Sequence, residues 1–133
     1  MLKQVEFMTF LNFGTGLMSS DDSKLRIQFT DVFKRQVRDL AKHYRRIKLD
    51  IQPVLDQLQS GNLVGAQIQG TGYTVFKVRI KNSDIQKGKS GGYRLIYYIK
   101  TSENILCVLI YSKSDEYNVT SVEIKKIIQE FYD

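Results

Sequence analysis

Residues Ile105–Ile110 are apolar at six consecutive positions, and Tyr111-Ser112 closes the run. A strand that is apolar on both of its alternating faces has no side to give to water, so it belongs inside a sheet covered from both directions. Tyr93–Lys100 reads as a second strand, and Thr101-Ser102-Glu103-Asn104 between the two reads as a turn, making a hairpin. Upstream, Tyr73–Ile80 alternates. Thr74, Phe76, Val78 and Ile80 point one way, and Tyr73, Val75, Lys77 and Arg79 the other. The apolar set is expected to face helices, which leaves Lys77 and Arg79 side by side on the opposite face.

Leu25, Ile27 and Phe29 alternate with Arg26 and Gln28, as in a half-buried strand. Thr30-Asp31 then supplies an N-cap and a first-turn acid. Phe33, Val37, Leu40, Tyr44 and Ile47 follow as one helical stripe, with Lys34, Arg35, Arg38, Lys42, Arg45 and Arg46 on the other side. That basic side suits RNA, an acidic partner or plain solvent. A second helix is expected from near Asp50, with Pro53 in its first turn, a buried face of Ile51, Val54, Leu55 and Leu58, and Gly61 just past its end. The short link makes the pair an antiparallel hairpin. Residues 61–72, with four glycines, read as loop. Thr120-Ser121-Val122-Glu123 is a capping box for a last helix with Ile124, Ile127, Ile128 and Phe131 on its apolar face. The order βααβββα predicts an α+β fold, a helical hairpin packed on a small, mainly antiparallel sheet.

At 133 residues the chain is one domain that can bury a core without disulfides or metal. Residues 1–23 read as an N-terminal extension, closed by the polar Ser19-Ser20-Asp21-Asp22-Ser23, with Met18 a candidate start; residues 24–133 form the domain. The formal net charge is +6, but residues 1–22 hold Lys3 against Glu6, Asp21 and Asp22, so the remainder carries +8. Such a domain favours polyanions. The lone Cys107 excludes an internal disulfide and reads as a buried, inert thiol. With a single histidine, His43, beside it, no zinc site of the usual kind is available; neither a metal nor a cofactor is expected. No apolar run is long enough to span a membrane, no secretory signal is evident, and the cytoplasm is the expected location.

Lys87-Gly88-Lys89-Ser90-Gly91-Gly92-Tyr93-Arg94 concentrates three cations, three glycines and an aromatic. Gly88-Lys89-Ser90 looks like the end of a phosphate-binding P-loop. The first glycine of that motif would fall on Ser83, however, and the stretch runs into a strand where the motif needs a helix. A flexible basic hairpin loop is the plainer reading. Its neighbours add weight to a functional one: Lys77–Lys113 contains eight basic residues against Asp84 and Glu103, with Tyr73 and Tyr93 among them as rings that can stack on bases.

Arg79-Ile80, Lys87–Tyr98 and Ile110-Tyr111-Ser112-Lys113-Ser114-Asp115 resemble the core motifs of the RelE/ParE superfamily, most of all the HigB/RelE-type toxins of bacterial toxin–antitoxin pairs. The resemblance spans residues 24–132, and its most specific part is the Gly-Tyr-Arg run entering an apolar strand. It implies a ribosome-dependent endoribonuclease that cuts mRNA and inhibits translation. A cognate antitoxin bound in a toxin–antitoxin hetero-oligomer would silence it. Under the resemblance Lys77 and Arg79 stand at the family's strand pair of cations, Arg94 at its arginine, Tyr117 at its C-terminal tyrosine, and Lys113 at a basic loop position. Arg79 departs from a pattern that is often lysine, and arginine is a poor general base.

Metal-free RNA cleavage requires a proton to leave the 2′-hydroxyl, charge on the pentacovalent phosphate to be neutralised, and the departing 5′-oxygen to gain a proton. A single histidine excludes a two-histidine mechanism. Clustered cations offer another route, since neighbouring positive charges favour the neutral form of a lysine, while arginine stays charged and forks onto phosphate. The expected roles are transition-state stabilisation by Arg94 with Arg79 assisting. Lys77, Lys87 or Lys89 would handle protons or hold the backbone, and Tyr117 or Tyr93 would stack on a base. The competing reading is a non-catalytic binder, either a ParE-like gyrase inhibitor or a degenerate antitoxin-binding domain.

Overall fold

The computed structural model describes residues 25–85, 91–115 and 119–133. Residues 1–23, expected from the sequence to be an extension, and the segments holding Lys87, Lys89 and Tyr117 lie outside them. The elements run β1 (Arg26–Phe29), α1 (Asp31–Ala41), α2 (Ile47–Gln59), β2 (Ala66–Ile68), β3 (Val75–Ile80), β4 (Tyr93–Thr101), β5 (Asn104–Ser112) and α3 (Ser121–Tyr132). The strands form one sheet in the order β1-β5-β4-β3-β2, antiparallel except for β1 beside β5. This is the expected α+β architecture with one addition. The three-residue β2 pairs with β3 at the edge, inside the stretch read as loop.

The two apolar faces of the sheet are covered separately. Phe33 and Val37 of α1 and Ile47, Ile51 and Leu55 of α2 pack against Phe29, Val78, Leu95 and Tyr97 on one face. Ile124 and Ile128 of α3 pack against Val75, Ile96, Leu106 and Leu109 on the other. Each such side chain, no more than 8% exposed, contributes about 1.5–3 kcal/mol.

Thr30 joins these layers. Its hydroxyl accepts the Phe33 amide at 2.9 Å as the N-cap of α1 and donates to the Val108 carbonyl at 2.6 Å. The second bond has a plain cause: β1 ends opposite Cys107, so the β5 backbone beyond it lacks a strand partner on that side. Gln36 continues the repair, its side-chain oxygen accepting the Ile110 amide at 2.8 Å. Thr120 caps α3 in the expected way, accepting the Glu123 amide at 3.1 Å.

The helical hairpin departs from its sequence-based outline. The apolar stripe to Ile47 is spread over two helices, because α1 ends at Ala41 and α2 begins at Ile47 rather than near Asp50. Tyr44 and Ile47 fall in register with the stripe yet belong to the turn and the next helix. Pro53 consequently lies inside α2 instead of its first turn. Its ring is exposed, and the carbonyl left without an amide donor belongs to Leu49, itself 70% exposed and open to water.

Candidate functional site

A β-bulge shapes the sheet where the cations gather. Ile96 pairs with Leu109 and Tyr97 with Cys107, so Val108 is an extra residue in β5. Before the bulge, Ile105 and Cys107 face the helical hairpin; after it, Ile110 does. Leu106, Val108 and Leu109 all face α3, and so does the partly buried Tyr111. Without the extra residue, Tyr111 would follow the parity of Cys107 onto the hairpin side. The bulge therefore brings a tyrosine into line with the two arginines.

Arg79 stands directly opposite Arg94 in the β3–β4 pair, and Arg94 opposite Tyr111 in the β4–β5 pair. Residues paired in this way share a face, so Arg79, Arg94 and Tyr111 form one row across three strands. Lys77, opposite Ile96, lies in the next row on the same side. Arg79 and Lys77 are exposed, while Arg94 is only 6% exposed and donates from Nη1 to the Tyr93 carbonyl at 3.1 Å. Among the described residues neither arginine has a carboxylate partner. Burial pushes the Tyr111 phenol above its ordinary range, and the charge of Arg94 pulls against that rise.

Gly92 permits this arrangement by close approach. A Cβ there would meet the Ile80 carbonyl oxygen at 2.0 Å, so any side chain would prise β4 away from the end of β3. The Gly92 carbonyl in turn accepts the Lys113 amide at 2.9 Å. That bond ties the turn Lys113–Asp115 to the end of the sheet that carries Arg94, with the Lys113 side chain exposed.

The structure thus brings together Lys77, Arg79 and Arg94, with Lys113 at the same end. It removes Tyr93 from the stacking role. Tyr93 is fully buried on the hairpin face, its ring edge-on to Tyr44 at 5.9 Å, because consecutive strand residues point to opposite faces and Arg94 takes the other one. Tyr73 lies at the far end of β3, edge-on to Tyr98 at 5.1 Å in the cluster beneath α3. Tyr111 belongs to the motif Ile110–Asp115, in which the sequence singles out only Lys113. Its place depends on the bulge, which an unbroken apolar run does not announce. Cys107 is fully buried, and burial raises its thiol pKa, in keeping with an inert thiol. Exposed His43 lies in the turn between α1 and α2.

No helix among the described residues is long and apolar enough to cross a membrane. No curated protein matches the chain. A family model described as the RelE toxin of the RelE/RelB toxin–antitoxin system matches residues 26–130, from the first strand through most of α3. That span holds the whole sheet, both helices of the hairpin and the arginine row, and the chain belongs to the RelE toxin family.

Proposed function

We propose that the chain is the ribosome-dependent endoribonuclease of a toxin–antitoxin pair, cleaving mRNA and silenced by its cognate antitoxin. One observation carries the reading: Arg79 and Arg94 are cross-strand neighbours with no carboxylate partner among the described residues. Like charges opposite each other, with Cβ atoms roughly 4.5–5.5 Å apart, destabilise a sheet. The single negative charge of a phosphodiester placed over the pair would relieve part of that repulsion, and the second charge that develops as the 2′-oxygen attacks would match both.

In this reading Arg94 forks onto the non-bridging oxygens of the reacting phosphate, where charge grows as the 2′-oxygen attacks phosphorus and the bond to the 5′-oxygen breaks. Arg79 assists from the facing strand. Lys77, in the adjacent row, would hold the RNA backbone or exchange a proton, a task shared with Lys87 and Lys89. Tyr111 or Tyr117 offers a ring to a base, and Lys113 adds a phosphate contact.

Arg94→Ala in a cleavage assay on ribosomes programmed with mRNA tests the assignment. Loss of about 100- to 1,000-fold in rate is expected for removing one preorganised transition-state donor. Undiminished cutting would remove Arg94 from the reaction. Inhibition of DNA supercoiling by the wild-type protein without mRNA cleavage would favour the gyrase-directed reading.

A further inference from the structure

The loop leaving β3 is bound to the helical hairpin by two carboxylates that cross between them. Asp84 Oδ2 accepts the Arg46 amide at 2.8 Å, across 38 residues of sequence. Asp50 Oδ2, on the first turn of α2, accepts the Ser83 amide at 2.9 Å. Arg46 occupies the N-cap of α2, and its own side chain makes no capping bond. The helix is therefore capped from the loop and the loop held from the helix, a reciprocal pairing that a capping box achieves within one segment. Asn82 completes the turn, its side-chain oxygen accepting the Asp84 amide at 2.9 Å.

Beneath these bonds lies Tyr93, whose ring rests on Tyr44 in the α1–α2 turn and which pairs with Ile80 at the end of β3. Its phenol is desolvated and faces the negative charges of Asp50 and Asp84, which together raise its pKa. Tyr93 immediately precedes Arg94, so whatever holds the tyrosine on one face sets the arginine on the other. Asp84 is also the sole acid between Lys77 and Arg94 in the chain. There its charge opposes polyanion binding, and its bond to Arg46 accounts for it.

We propose that Asp50 and Asp84 are positioning residues for Arg94, clamping the loop after β3 onto the start of α2 so that the end of the β3–β4 pair presents both arginines in one geometry. The proposal rests on the reading of Arg79 and Arg94 as a phosphate-binding pair, but its structural half can be tested without that reading.

The test compares Asp84→Asn, Asp84→Ala and Asp84→Glu, with Asp50→Ala alongside, in the full chain. An asparagine side-chain oxygen still accepts the Arg46 amide, whereas alanine offers nothing and glutamate keeps the charge but displaces the loop. Three readouts are taken: cleavage of ribosome-bound mRNA resolved into kcat and KM, thermal unfolding, and the NMR signal of the Arg94 Nε–H group, assigned by its absence in Arg94→Lys. The expected result is a kcat about tenfold lower with KM unchanged in the alanine and glutamate variants, near wild type in Asp84→Asn, with the Arg94 signal shifted in the same order. Unchanged kcat in folded Asp84→Ala, or an Asp84→Asn as impaired as Asp84→Glu, overturns the proposal. Should Asp84→Ala not fold, the asparagine–glutamate comparison decides. If the wild-type protein cuts no mRNA, the endoribonuclease reading falls, while the Arg94 signal still decides the clamp: unmoved in Asp84→Glu, it ends the proposal.

Discussion

Arg79 and Arg94 face each other across the β3–β4 pair, two guanidinium groups in adjacent strands with no carboxylate partner among the described residues. A sheet stabilised for its own sake would place opposite charges there. Stability and activity are therefore expected to move in opposite directions. Arg79→Glu should create a cross-strand ion pair and raise stability by about 0.2–1 kcal/mol, while mRNA cleavage falls steeply. Denaturant midpoints measured beside cleavage rates check both halves; a joint fall in stability and activity would show that the two arginines are not in mutual repulsion.

Gly92 and Gly61 should respond differently to alanine. At Gly92 the added carbon meets a backbone oxygen that cannot rotate away, and overpacking of this kind costs about 1–3 kcal/mol or more. Gly61 has open space around it and a φ of +89°, so only the left-handed backbone penalty of about 1–2 kcal/mol applies. Urea unfolding of both variants gives the comparison. Cleavage should suffer in Gly92→Ala alone, since only that residue sits between Ile80 and the strand carrying Arg94.

Thr30 serves two partners at once, and Thr30→Val retains its shape without either hydrogen bond. Loss of the cap costs about 0.5–2 kcal/mol, and the Val108 carbonyl left unpaired adds about 1–3 kcal/mol. Thr30→Ser, with its hydroxyl intact, should recover most of the difference in the same unfolding experiment.

Alkaline pH should unfold the protein through groups buried in their protonated form. Burial raises the Cys107 thiol above its ordinary 9.0 and pushes the Tyr97 phenol from 10.0 up to about 12. A group whose folded pKa is raised keeps its full contribution below its unfolded value and loses it as pH rises toward the folded value. The urea midpoint should thus be insensitive to these groups at neutral pH. It should fall from about pH 9 as unfolded Cys107 ionises, and more steeply above about pH 10 as the tyrosines follow. Cys107→Ala should flatten the first part of the decline, and a thiol reagent should modify native Cys107 only at the rate of unfolding. Rapid native labelling at pH 8 would contradict the burial argument.

Much of the architecture is legible in short-range pattern. The alternation Thr74–Ile80 placed Lys77 and Arg79 on one side of a strand, and Thr30 and Thr120 announced their caps. The turn at 101–104 separates β4 from β5 as read. These features depend on residues within one turn of helix or a few steps of strand, so the chain specifies them locally. One feature of the site was equally local: adjacent strand residues point to opposite faces, which already excludes Tyr93 and Arg94 from lining the same surface.

What remained belongs to pairs of distant segments. The stripe Phe33–Ile47 fits one helix as well as it fits two, and the break is accompanied by an Asp84 carboxylate that caps α2 from 38 residues away. Ala66–Ile68 has no strand signature of its own and becomes one by pairing with β3. The register that sets Arg79 against Arg94, and the bulge at Val108 that turns Tyr111 beside them, exist only once three strands are aligned. The amino-acid order determined which cations lie on one side of a given strand. The tertiary pairing decided which of them share a face, because side-chain direction is a property of one strand and register a property of two.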